Sequence, residues 1–159
     1  MQMSLIIVGG FVVASSAPCS RLIAWLAAIP RTPRGAVAFV ALFAMLTSLL
    51  SWGFSLIFTG LLVRAIVNRI RIVDYRAIGA AAYLGLGSVW ALGLSSSAAL
   101  MQATRSSIPA ALLPITGVIP LTQTIFLWQN LALAGVLIAV SVAVAYYSCP
   151  SAERARTAE

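Results

Sequence analysis

The chain has no histidine and no lysine, only three carboxylates and two cysteines in 159 residues. Each shortage removes a class of chemistry. The carboxylates are Asp74, Glu153 and Glu159, the last two close to the C-terminus, so no pair is placed for general acid/base work. Without histidine there is neither a Ser/His/Asp triad nor an imidazole ligand for a metal. Cys19 and Cys149 are too far apart to make a zinc motif, and each borders an apolar run, as small half-buried residues at a membrane interface do. The chain is therefore not expected to be an enzyme, and no cofactor is called for.

Charge of either sign is scarce. Only 8% of the residues are charged and 62% are apolar, against about 25% and 45–50% in soluble domains. The net charge of +7 comes entirely from arginine. Nucleic acid is not the expected partner, because the apolar runs are too long for such a module. The composition is that of an integral membrane protein whose partner is the lipid bilayer.

The arginines cut the chain into blocks that can be compared with the roughly 20 helical residues that cross a hydrocarbon core. Residues 1–20 carry no charge and suffice for one crossing. Met1-Gln2-Met3-Ser4 lacks the basic start of a signal peptide, so this segment is expected to be retained and to end at Pro18. Residues 21–34 are too short to cross and place Trp25 among Leu22, Ile23, Leu26 and Ile29, which suits an interfacial helix.

Residues 35–67 begin with a stretch too long for one untilted crossing and too short for two. Its middle reads Ser48-Leu49-Leu50-Ser51-Trp52-Gly53-Phe54-Ser55. Two half-length helices, Gly35 to Leu50 and Phe54 to Val67, are expected to meet at a tip within the membrane as a re-entrant hairpin. The positive-inside rule tests that expectation. One crossing here would split the arginines six to four across the bilayer, whereas a hairpin leaves nine on one side and Arg105 alone on the other. The hairpin topology places the N-terminus outside and the C-terminus in the cytoplasm.

Residues 77–104 form a broken span with Gly93-Leu94-Ser95-Ser96-Ser97-Ala98-Ala99 past its middle. Hydrocarbon does not tolerate loosened backbone, so this break must face protein or a polar cavity. Residues 106–123, with Pro109, Pro114, Gly117 and Pro120, read as an outer loop or half-helices. Residues 125–147 form a last span, and 148–159 a cytoplasmic tail. The expected fold is an all-α integral membrane protein with about three transmembrane helices, the re-entrant hairpin and the interfacial helix.

Two interrupted apolar segments point to the binding site of a secondary transporter, where half-helix N-termini aim positive dipole ends at an anion. The candidates are Ser51, Trp52, Gly53 and Ser55 at the tip, and Trp90, Gly93, Ser95, Ser96, Ser97 and Thr104 at the second break. Backbone N–H groups and hydroxyls would hold a carboxylate, while Trp52 and Trp90 face an alkyl tail. Small residues at tight helix contacts explain the same serines and glycines equally well.

Several segments, in order, resemble the bacterial short-chain fatty acid transporter family. They are Met1-Gln2-Met3-Ser4-Leu5-Ile6-Ile7-Val8 with Ala14-Ser15-Ser16-Ala17-Pro18; Ser51-Trp52-Gly53-Phe54, similar to Asn-Trp-Gly; Asp74-Tyr75 and Ala82-Tyr83-Leu84-Gly85; Trp90 with Gly93-Leu94-Ser95-Ser96-Ser97; and Ile119-Pro120-Leu121-Thr122-Gln123-Thr124-Ile125-Phe126 with Asn130. The resemblance implies import of short-chain carboxylates such as butyrate and acetoacetate across the bacterial inner membrane. It also implies an elevator-type transporter of the ion-transporter superfamily, of which this chain resembles one inverted repeat. Na+ or H+ would be the coupling ion, and a homodimer or a second polypeptide would supply the other half. A non-transporting remnant, or a small structural or regulatory membrane protein, is the alternative. The chain departs from the family pattern at Ser51 in place of Asn, at Leu92 and Ser96 in place of Gly, and at Gln123 in place of an acid.

Overall fold

Proline sets where the first two helices begin. Pro18 lies in the first turn of α1 (Ala17–Leu26) and Pro33 in the first turn of α2 (Pro33–Leu50), where a missing backbone N–H leaves no hydrogen bond unmade. From sequence, Pro18 is expected to end the preceding segment. In the computed structural model it lies in the first turn of the next helix. The structure describes residues 8, 9, 12, 16–94, 96–151 and 155–156. The expected span over residues 1–20 lies largely outside them, and so does Ser95. α1 packs against α3, introduced below, through Ile23 and the adjoining Ala27, and leaves Trp25 and Leu22 exposed.

α2 is the centre of the bundle. Thr32 caps it, its Oγ1 accepting from the Gly35 amide at 3.1 Å. Val37, Val40, Ala41, Ala44, Met45 and Ser48 are buried at helical spacing, against neighbours on several sides. Small side chains dominate this face. Between membrane helices there is little hydrophobic driving force, so association depends on the close backbone approach that Ala41, Ala44 and Ser48 permit.

A single residue, Ser51, separates α2 from α3 (Trp52–Arg69). Its extended backbone (φ −155°, ψ 120°) reverses the chain and its hydroxyl oxygen accepts from the Phe54 amide, capping α3. The two helices run antiparallel. Ser55 Oγ donates 2.8 Å to the Ala44 carbonyl, and the Phe43 and Phe58 rings lie 6.3 Å apart one turn further on. Each arm has 18 residues, so neither is the half-length helix expected from sequence. At 1.5 Å per residue each is about 27 Å long.

The chain then returns through α4 (Tyr75–Leu84), which loses regularity at Gly85. A π-helical segment, Gly85–Val89, passes into a 3-10 turn, Trp90–Leu92, and the extended Gly93. The irregularity thus begins two turns before the expected break. Gly85 explains where: a Cβ there would stand 2.2 Å from the Ala44 carbonyl oxygen and 2.9 Å from Ser48 Cβ. Only glycine lets the widened turn lie against α2 at that depth.

Beyond the break are α5 (Ser97–Ala103), a 3-10 turn at Arg105–Ser107, the single turn α6 (Leu113–Thr116), and another 3-10 turn at Leu121–Gln123. Gly117 ends α6 with φ 62°, a left-handed conformation that disfavours side chains. α7 (Trp128–Tyr147) packs on α2, with Leu137 and Ile138 against the core and Ala134 buried, and leaves Leu131, Val136, Val140 and Val144 exposed. The protein is helical, with no strand among the described residues. Among the described residues, three stretches are long and apolar enough to cross a membrane: Pro33–Leu50, Tyr75–Ala103 and Trp128–Tyr147. The first of these is an arm of the hairpin.

Candidate functional site

The two interrupted segments meet. The Leu94 amide, in the break, donates 2.7 Å to the carbonyl of Leu49, two residues before the hairpin turn. Leu49 belongs to the last turn of α2, whose carbonyls have no partner within the helix, and the break supplies one. Gly93 makes the approach close: a Cβ on it would sit 2.2 Å from the Leu49 oxygen and 2.5 Å from its Cα.

The start of α7 joins the same place. Asn130 Nδ2 donates 2.8 Å to the Leu92 carbonyl and 2.8 Å to that of Ile125. The widened and broken helix from Gly85 to Gly93 leaves carbonyls without helical partners, and this amide serves one of them. Hairpin tip, broken span and α7 are therefore tied through main-chain atoms of Leu49, Leu92 and Leu94.

The expected site residues fall into three groups. Ser51, Trp52 and Gly53 form the turn and the first turn of α3, with Gly53 buried and Trp52 half-buried; Trp90 and Gly93 belong to the segment bonded to that tip. Ser55 and Ser96 are buried with committed hydroxyls. Ser55 Oγ binds the Ala44 carbonyl, and Ser96 Oγ accepts from the Ala99 amide at 3.3 Å as the cap of α5. Ser97 and Thr104 are exposed at opposite ends of α5, about 10 Å apart along the axis, so Thr104 stands away from the break. Ser95 lies outside the described residues.

The arrangement suits an anion. The N-terminus of the long helix α3 presents its positive dipole end at the tip, and Ser51, exposed there, retains an O–H donor while its oxygen accepts from the Phe54 amide. Two half-buried indoles, Trp52 and Trp90, supply apolar surface. In the sequence Asn130 and Gly85 stand within family-like motifs and Leu49 within the middle of the hairpin segment, with nothing there that assigns a role to any of the three. A lone amide in the apolar run 125–147 was the available signal, since such a group in a span must find a partner. Nothing in sequence marks a carbonyl such as that of Leu49.

The other end of the bundle holds the one described carboxylate. Asp74 Oδ1 accepts from the Arg76 and Ala77 amides at 2.9 Å each, capping α4, and Oδ2 accepts from the Arg156 amide at 2.9 Å. The Tyr75 amide returns a bond to the Arg156 carbonyl at 2.9 Å, so the tail is clasped to the start of α4. The Arg156 amide, then that of Ala77, lowers the Asp74 pKa against the opposing effect of burial. Burial raises that of Cys149, with Arg34 opposing. Among the described residues no three His, Cys, Asp or Glu side chains gather as a metal site.

A family model described as "Short chain fatty acid transporter" matches residues 1–158. A relative from Escherichia coli (strain K12) is 36% identical over 140 residues, covering 88% of this chain and 31% of its own length. Another, from Haemophilus influenzae, is 29% identical over 155 residues, covering 94% of this chain and 34% of its own. Both are named, provisionally, short-chain fatty acid transporters. The chain thus spans about a third of the length of these curated relatives. No solved structure matches it significantly.

Proposed function

The chain belongs to the short chain fatty acid transporter family, and from that membership we propose that it moves short-chain carboxylates such as butyrate or acetoacetate across the bacterial inner membrane. It is a membrane protein of a transporter family and not an enzyme. The observation that carries the proposal is the Leu94 to Leu49 bond, which brings the broken span against the hairpin tip. In the proposed site the substrate carboxylate faces the N-terminus of α3 with the hydroxyls of Ser51 and Ser97, and its alkyl chain lies against Trp52 and Trp90.

Transport is secondary, driven by Na+ or H+, with the hairpin moving as the re-entrant element of an elevator-type repeat. A second copy or a second polypeptide completes the site. We place nine arginines at the cytoplasmic face and the N-terminus outside, and two observations support a shared face for Arg34, Arg69, Arg71 and Arg76. Arg34 opens α2, and Arg69, Arg71 and Arg76 follow the other arm of the same hairpin. Thr32, Pro33 and Arg34 border one cavity with Tyr146, Pro150 and Ser151, so the open end of the hairpin shares the tail's end of the bundle.

Uptake of labelled butyrate into proteoliposomes holding the purified chain, under a sodium or proton gradient, tests the reading. Accumulation above empty liposomes, with the chain alone or with a complementing half from a full-length relative, is expected. No uptake in either arrangement overturns it in favour of a remnant or a structural or regulatory membrane protein.

A further inference from the structure

Three cavities ring the tail segment Ser148–Ser151, and they grade from apolar to basic. A groove of about 350 Å3 runs between α2, α4 and α7, walled by Val37, Ala80, Ala81, Leu84, Val140 and Val144. At Ala77 and Ser148 it adjoins a polar cavity of about 590 Å3 that Arg76, Asp74 and Ser151 also line. Across Pro150 and Ser151 lies a third, of about 350 Å3, formed by Thr32, Pro33, Arg34 and Tyr146. We propose that this end of the bundle binds one anionic phospholipid, its acyl chain in the α2/α4/α7 groove and its phosphate at Arg76, with Arg34 adding positive charge from across Pro150 and Ser151.

The position of the change from apolar to polar points to a lipid. It falls at Ala77 and Ser148, where α4 begins and α7 has just ended, the depth at which a lipid's own chains meet its headgroup. Exposed Tyr75 and Tyr147 mark the same level, as aromatic side chains do at a membrane interface. The charge points to an anion. Arg34 and Arg76 are exposed, and the nearby Asp74 has its oxygens occupied by the three backbone amides of Arg76, Ala77 and Arg156. Basic pockets between membrane helices recognise acidic headgroups in this way. A second copy in the same orientation would instead set arginines against arginines. The inference requires only that the chain inserts in a membrane and does not rest on its transporting anything.

Native mass spectrometry of the full chain, released from nanodiscs of equal phosphatidylglycerol and phosphatidylcholine, tests it. Retention of phosphatidylglycerol over phosphatidylcholine is expected. Arg34→Gln and Arg76→Gln together should remove that preference, by about fivefold for each arginine, without changing phosphatidylcholine retention. Ala80→Phe, which fills the groove from α4, and Val140→Trp, which fills it from α7, should lower retention of both lipids while helix content stays unchanged. Equal retention of both lipids by the unmodified chain, or a preference that survives in the arginine variant, overturns the proposal. So does a dimer that Ala80→Phe or Val140→Trp breaks while lipid retention persists, which would make the groove a protein interface.

Discussion

Leu94 and Leu49 are joined main chain to main chain, amide to carbonyl at 2.7 Å, although one lies in the broken span and the other at the end of the first hairpin arm. Side chains contribute nothing to this bond, so it fixes the position of the break against the tip whatever leucine is replaced by. Its strength depends on how close the two backbones come, and that is set by the glycine beside Leu94. A carbonyl at a helix end and an amide in an unwound segment each lack a partner of their own, and within a membrane neither can turn to water.

Gly93→Ala should therefore break the contact. The added Cβ would meet backbone atoms of Leu49 at 2.2–2.7 Å, and backbone cannot rotate aside as a flexible side chain would. We expect a loss of about 1–3 kcal/mol, in the range of overpacking, seen as a lower melting temperature in detergent. Gly87→Ala, two turns upstream with nothing within 4 Å of its Cβ, is the control and should change little. Equal effects at both positions would separate the destabilisation from the Leu49 contact.

Asn130→Leu should loosen the other side of the same junction. The amide donates to the Leu92 and Ile125 carbonyls at 2.8 Å each, and leucine leaves both without that donor. Leaving buried polar groups unsatisfied costs about 1–3 kcal/mol. Faster amide exchange around residues 90–94 in the variant, with the hairpin unaffected, is the measurement to make.

Block length and the small residues at its middle were enough to find the helical turn. Ser51 between two apolar stretches, with arginines at both far ends, located the turn that the structure puts at that residue. The loss of regularity at Gly85 was not legible, because Gly85 and Gly87 look alike in sequence and only Gly85 lies against the Ala44 carbonyl. Both breaks were legible and could be assigned to one carboxylate, but the pair of main-chain groups, 45 positions apart, that joins them was not legible. The chemistry of Ser55 was hidden for a related reason. A serine near a tip looks the same whether its hydroxyl faces a ligand or, as here, a carbonyl on the facing helix.

The tail clasp should survive mild acid. The folded pKa of Asp74 is depressed below its ordinary 3.8, chiefly by the Arg156 amide, so the stabilisation is full above that ordinary value and is lost as pH falls through the folded pKa. Between pH 7 and 5 the tail stays docked. Asp74→Asn should mimic the protonated form at neutral pH, and exchange of the Tyr75 and Arg156 amides, measured at pH 7, should accelerate relative to the parent. Unchanged exchange at Arg156 in that variant would mean the carboxylate charge contributes nothing to holding the tail.

Ser55 and Ser97 should separate stability from transport. Ser55 Oγ is 2.8 Å from the Ala44 carbonyl in the buried hairpin interface, so Ser55→Ala should cost about 0.5–1.5 kcal/mol of stability. Ser97 is exposed at the start of α5 beside the break, so Ser97→Ala should leave the melting temperature within a degree or so and lower butyrate uptake. Arg69, exposed at the end of the second arm, serves as the comparison: Arg69→Gln should impair uptake less than Ser97→Ala does. The reverse order would move the substrate away from the tip and toward the basic end of the bundle. Because the predicted losses differ in kind, one set of purified variants assayed for both melting and uptake distinguishes a serine that holds the hairpin shut from one that meets the carboxylate.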